Sequence, residues 1–181
     1  MKFLTIIFTL SSTLIAGEFD GTWKTNCASE GATNLRSTVI VQAAQGALEQ
    51  MQYKDNQCIT PTVLVQASGA IEFPALDAQT RFDLTYAAFT VTIKDVAAVK
   101  VASLVEYCGV SNWQLDIPMD VAGKTCSEQL SFPRIGDKHH NIIALNEKGQ
   151  LLLGRLTVEL DGTSPELRPT QLDTQYPFIK Q

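Results

Sequence analysis

Residues 81–93, RFDLTYAAFTVTI, decide the fold. Apolar side chains alternate as Phe82, Leu84 and Tyr86, then change phase to Phe89, Val91 and Ile93. A strand repeats every two residues, so one flat strand would bury one of these sets and expose the other. Both sets face a single core only if a bulge or break near Ala87-Ala88 absorbs a residue. Bulges bend strands sharply, as the corners of a small closed barrel require.

The flanking sequence is of the same kind. Thr22 to Asn26 reads as a short strand, and Ser37 to Ala43 with Leu48 to Tyr53 reads as a hairpin turning at Gln45-Gly46. Thr62 to Gln66 and Ala70 to Phe73 flank Ser68-Gly69, a dipeptide suited to a tight turn, and predict a second hairpin. Asp95 is placed to cap a helix running to about Tyr107, with Gly109 as its stop. Trp113 to Asp120, Lys138 to Leu145 and Gln150 to Val158 return to strand, with Asn146-Glu147-Lys148-Gly149 as a turn. The proline-containing segment after Asp161 is expected to run over the surface and add an edge strand at Tyr176 to Ile179. The whole predicts an all-β protein, an antiparallel barrel of eight to ten strands with one short helix.

Residues 1–17, MKFLTIIFTLSSTLIAG, place Lys2 before an apolar run from Phe3 to Leu14, followed by the small residues Ala16 and Gly17. This is the pattern of a secretory signal peptide, leaving residues 18–181 as one domain. The expected location is secreted or periplasmic, and no later apolar run is long enough for a transmembrane helix. The chain of 181 residues carries a net charge of −5 without a basic stripe, which argues against nucleic acid as a partner.

Cys27, Cys58, Cys108 and Cys126 are then read as disulfide formers. Three pairings exist. The sequential one, Cys27–Cys58 with Cys108–Cys126, closes the shortest loops and is the expected pairing, each bridge contributing roughly 3–4 kcal/mol by the loop-entropy model. A zinc site would need CxxC-type spacing, which is lacking, so no metal is assigned.

Signs of catalysis are few. His139 and His140 adjoin on an expected strand and so point to opposite faces; Asp137 with His139 is the nearest approach to a weak metal or pH-sensitive pair. Gly123-Lys124-Thr125 resembles the end of a P-loop, but Pro118 stands where the motif needs glycine, so it reads as a turn before Cys126. There is no Gly-x-Ser-x-Gly elbow. The expectation is a protein that is not an enzyme and uses no cofactor.

Phe19-Asp20-Gly21-Thr22-Trp23 contains Gly-x-Trp, and the chain continues through YKDNQC, YCG, GKTC, LLLG and DGTSPELRP. This order resembles small secreted bacterial proteins of lipocalin-like type. The resemblance implies an up-and-down barrel closed at one end by Trp23, with an arginine from a late strand over the indole. Arg155 is the first candidate and Arg168 the second. The interior of such a barrel is expected to take a small apolar ligand or lipid, and Phe73, Phe82, Tyr86 and Trp113 are the expected contacts because each offers a large apolar surface. Two alternatives stay open: a protein-binding module such as a protease inhibitor, acting through loops or the segment after Asp161, and a purely structural envelope protein.

Overall fold

A computed structural model describes residues 17–31, 33–74, 80–128 and 130–181. The leader expected over residues 1–17 lies, apart from Gly17, outside them. The strands are β1 (Gly21–Lys24), β2 (Ala28–Glu30), β3 (Thr33–Gln42), β4 (Gln45–Tyr53), β5 (Pro61–Glu72) and β6 (Thr80–Ile93). Helix α1 (Val96–Leu104) follows. Then come β7 (Met119–Asp120), β8 (Thr125–Ser127), β9 (Leu130–Ser131), β10 (Lys138–Leu145), β11 (Leu151–Leu153) and β12 (Ile179–Lys180).

Ten of these strands form one antiparallel sheet, and its main path runs β1, β3, β4, β5, β6, β10, β11 on one side and β1 to β12 on the other. Each strand thus lies beside its predecessor in the path, an up-and-down order. The gap between β11 and β12 is bridged by one antiparallel pair, Leu151 with Phe178, through two backbone hydrogen bonds of 2.9 Å. The result is a nearly closed barrel. Its two disulfides are Cys27–Cys58 and Cys108–Cys126, the sequential pairing.

The phase change in β6 is a bulge at Ala87: Ser68 pairs with Ala88 and Gly69 pairs with Tyr86. Phe82, Leu84, Tyr86, Phe89, Val91 and Ile93 consequently all enter the core. Ser68-Gly69 is not a turn, because β5 passes straight through it. Gly69 is needed for a close approach instead, since a Cβ there would stand 1.8 Å from the Thr85 carbonyl oxygen. The first hairpin also turns earlier than expected, at Ala43-Ala44 with Ala43 at φ 53°, and Gly46 leaves room for Ile71 of the neighbouring β5.

Asp95 caps α1, its Oδ1 accepting from Ala98 N at 2.8 Å. The helix stops at Leu104, before Tyr107, and the chain turns through a left-handed Glu106. Only Met119–Asp120 of the strand expected from Trp113 to Asp120 pairs as β7, and β11 ends at Leu153 where a strand to Val158 was expected. Tyr176 to Ile179 is not an edge either: Phe178 and β12 close the ring.

Trp23 is 2% exposed and its Nε1 donates to Phe19 O at 2.8 Å. The cation over its ring is Lys180, with Nζ 5.0 Å from the ring. Arg155 is exposed on the loop after β11, so the arginine–indole lid is corrected to a lysine from the closing strand. The pairing of β1 with β12, Trp23 opposite Lys180, sets this contact. Trp23→Ala is expected to destabilise the fold by roughly 3–5 kcal/mol, and Lys180→Ala by about 0.5 kcal/mol. Thermal melts should show coupling between these two positions and none between Trp23 and Arg155.

Candidate functional site

Inward side chains divide the barrel into two unlike halves. In one, Trp23, Phe19, Phe73, Phe82 and Leu84 fill the interior, and Phe19 stacks on Phe73 with ring centroids 6.0 Å apart. The void left beside Val41, Ile71 and Phe82 is about 10 Å³, no more than one water needs. In the other half a cleft of about 390 Å³ remains, within the range of small-molecule sites.

Alternate residues of three neighbouring strands make the floor of this cleft: Gln50 and Gln52 of β4, Val63 and Val65 of β5, and Val91 and Ile93 of β6. They share one face because Gln50 pairs with Val65, and Val65 with Val91. The roof is α1, which presents Ala98, Val101, Ala102 and Val105, an i, i+3, i+4, i+7 stripe. Two alanines in this stripe keep the roof from filling the space beneath it. Tyr107, Leu130 and Phe132 make the side wall. Val101, Val105 and Leu130 are exposed at the rim, so the cleft is open to solvent.

The roof is tied down at both ends. Lys54 of the β4–β5 loop pairs with the capping Asp95, and Lys94 N donates to Thr62 O at 2.7 Å. Asp55 holds that loop by accepting from the backbone N–H groups of Gln57, Ile59 and Thr60, and these bonds lower its pKa. Cys58 in the same loop is linked to Cys27, while Cys108, just beyond α1, is linked to Cys126 of β8. Phe132 packs on Phe89 at 4.8 Å between centroids.

None of the four expected contact residues lines the cleft. Phe73 and Phe82 belong to the packed half. Tyr86 is buried against Phe89, its phenol pushed up to about 12 by burial and by Asp137, and so stays neutral. Trp113 is buried beneath Tyr107, its Nε1 donating to Tyr107 O at 3.2 Å. No local sequence signal marked the floor, because an inward glutamine on a strand looks like any surface polar residue.

A second feature is a buried ion cluster. Asp83 and His140 are cross-strand partners, with Asp83 Oδ1 2.9 Å from His140 Nδ1 and 2.7 Å from Arg168 Nη2. An ionised carboxylate only accepts, so Nδ1 of His140 is the donor. Arg168 Nη1 donates to Phe82 O at 3.0 Å and to Asn141 O at 2.6 Å, carbonyls on facing strands. Arg168 is therefore the arginine that caps carbonyls, although it does so away from Trp23. Burial pushes the Asp83 pKa up, but Arg168 and His140 more than offset it, leaving it below the ordinary 3.8.

Asn141 Oδ1 accepts from Ile142 N and Gly154 N, so its Nδ2 is the donor to His139 Nε2 at 3.2 Å. His139 is accordingly a neutral imidazole, and burial, followed by the neighbouring His140, lowers its pKa below 6.5. Asp137 does not join it; its carboxylate caps Arg134 N in the preceding turn. Among the described residues no three His, Cys, Asp or Glu side chains converge to hold a metal ion. The cluster fastens the C-terminal segment to β6 and β10. No family model matches this chain, and no curated protein does.

Two acid steps follow for stability. His139 has a depressed folded pKa, so its contribution is complete above 6.5 and is lost as the pH falls below that value. Asp83 and Asp55 add a second loss as the pH falls below 3.8 toward their lower folded pKa values. Urea melts across this range should show His139→Gln removing the first step and Asp83→Asn flattening the second. Arg168→Met, which strands a buried carboxylate, should cost about 3–5 kcal/mol at neutral pH.

Proposed function

We propose that this is a non-catalytic binding protein of lipocalin-like type that acts outside the cytoplasm and holds a small apolar molecule in the cleft beneath α1. The observation that carries this reading is the 390 Å³ apolar cleft at one end of a barrel whose other half is packed solid. A barrel built only for stability has no reason to leave such a space between a floor of aliphatic and amide side chains and a roof of alanines and valines while its other half is filled. The leader-like residues 1–17 and the two disulfides support an oxidising compartment. Among the described residues no helix is long and apolar enough to cross a membrane.

The inhibitor reading offers two contact regions, loops or the segment after Asp161. That segment is stitched down: Gly162 O accepts from His140 N at 2.8 Å, Asp173 N donates to Leu153 O at 2.8 Å, and Pro169 is fully buried. Among the described residues that segment is not a free arm, which leaves the loops as the contact the inhibitor reading would use.

A phenylnaphthylamine probe should bind the folded protein saturably at one site per chain. Ala98→Leu, which lowers the roof, should weaken it at least about tenfold, while Phe82→Leu in the packed half leaves it within about twofold. Far-ultraviolet spectra check that both variants fold. Absence of saturable binding, or equal effects of the two substitutions, would remove the carrier reading.

A further inference from the structure

The chemistry of the floor narrows the occupant. Gln50 and Gln52 occupy successive inward positions of β4, roughly 7 Å apart along the strand. Both are half-buried, and among the described residues neither side-chain amide has a hydrogen-bond partner. Their outward neighbour behaves differently, since Glu49 Oε1 accepts from Gln66 Nε2 at 2.8 Å. Every other strand residue on the floor is Val or Ile. An apolar molecule entering the cleft displaces the water on these two amides, and an amide dehydrated without a replacement bond opposes binding. A ligand that fits must therefore bring polar atoms to Gln50 and Gln52.

The charge of those atoms is limited by the same walls. No Lys, Arg or His is among the residues that line the cleft. Lys54, at the nearby end of α1, is already paired with Asp95. An ionised carboxylate would be desolvated there with no counter-charge. A primary amide offers two donors and one acceptor oxygen, and so it satisfies an ester carbonyl and a hydroxyl equally well. Tyr107 on the side wall is kept a neutral phenol by burial, in line with an uncharged lining.

We infer that the occupant is an uncharged amphiphile, an apolar chain or ring with an ester, amide or alcohol group that Gln50 and Gln52 grip, and that ionised fatty acids are selected against. This rests on the cleft being the ligand site. Monolaurin and laurate share one acyl chain and differ in head-group charge. Displacement of the phenylnaphthylamine probe, above the carboxylate range of pH, should need at least about tenfold less monolaurin than laurate.

Gln50→Leu, Gln52→Leu and the double variant should keep probe binding and lose this preference stepwise, and Gln50→Lys should turn it toward laurate. The wild-type ratio needs no variant, so the test survives if one of them fails to fold. Equal or better displacement by laurate, or monolaurin affinity unchanged in the double leucine variant, overturns the inference while leaving the carrier reading intact. A probe that does not bind the wild-type protein overturns both.

Discussion

One surplus residue in β6, Ala87, lets both halves of that strand turn their large apolar side chains into a single core. Without it, either Phe82, Leu84 and Tyr86 or Phe89, Val91 and Ile93 would face solvent. The accommodation is made across the ladder by Gly69, whose missing side chain gives the bent strand its clearance at the Thr85 carbonyl. The bend also separates two environments. On the edge away from β5, β6 pairs below the bend with β10 through Thr80–Thr85; above it that edge meets the short β7 at Thr90 and Val91 and Leu115 at Ile93. The wall that β10 supplies to one half is replaced in the other by the excursion carrying α1, β8 and β9. A regular barrel wall and a roofed cleft are two consequences of the same bulge.

The distribution of side-chain size follows this division. Aromatic rings fill the half enclosed by the regular wall, and dispersion contacts among them hold it together. Under α1 the floor and roof are valines, one isoleucine, alanines and two glutamines, with Tyr107 and Phe132 confined to the side wall, and they leave space and forgo those contacts. Missing contacts cost stability in proportion to the void. Both disulfides lie at this end, one at the β4–β5 loop and one just past α1. They restrict the unfolded chain where the folded one has least to gain from packing. The apolar rim of α1, with Leu104 83% exposed, is tolerated because the tethers at Asp95 and Cys108 fix the helix by its ends and leave its outer face unburied.

What could be read from the sequence was local. The phase change at Ala87, the Asp95 cap, the turn at Asn146–Gly149 and the span of β10 all depend on a few consecutive residues, and each stands in the structure as expected. The misreadings share one cause, long-range contact. Gly69 and Gly46 look like turn residues but serve to give clearance to atoms of the neighbouring strand, Thr85 O of β6 and the Ile71 side chain of β5. The actual turn is made by Ala43-Ala44, which carries no turn signature. Lys180 reaches Trp23 only because the end of the chain pairs with its beginning, and no spacing rule connects those positions. The cleft was hidden for the same reason: Gln50 and Gln52 become inward residues only once β4 is placed between β3 and β5.

The C-terminal segment has little secondary structure of its own, yet its last residues must reach one place. Residues 138–142 of β10 have no strand beyond them, and the segment covers that edge with Gly154 N on Ile142 O and Gly162 O on His140 N. Such edges otherwise invite pairing with another chain. Arg168 then fixes the position along β10, because its guanidinium has to meet two carbonyls and the Asp83 carboxylate at once. A buried ion pair adds little net stability over a well-packed apolar contact, but a misplaced one leaves a charge stranded at high cost. The cluster therefore acts less as cement than as a discriminator against wrong placements of the segment. From that fixed point the chain runs to Phe178, which completes the ring at Leu151, and to Lys180, which settles over Trp23. Closure of the barrel is thus coupled to a polar contact on the outside of its wall, and the apolar interior alone does not specify it.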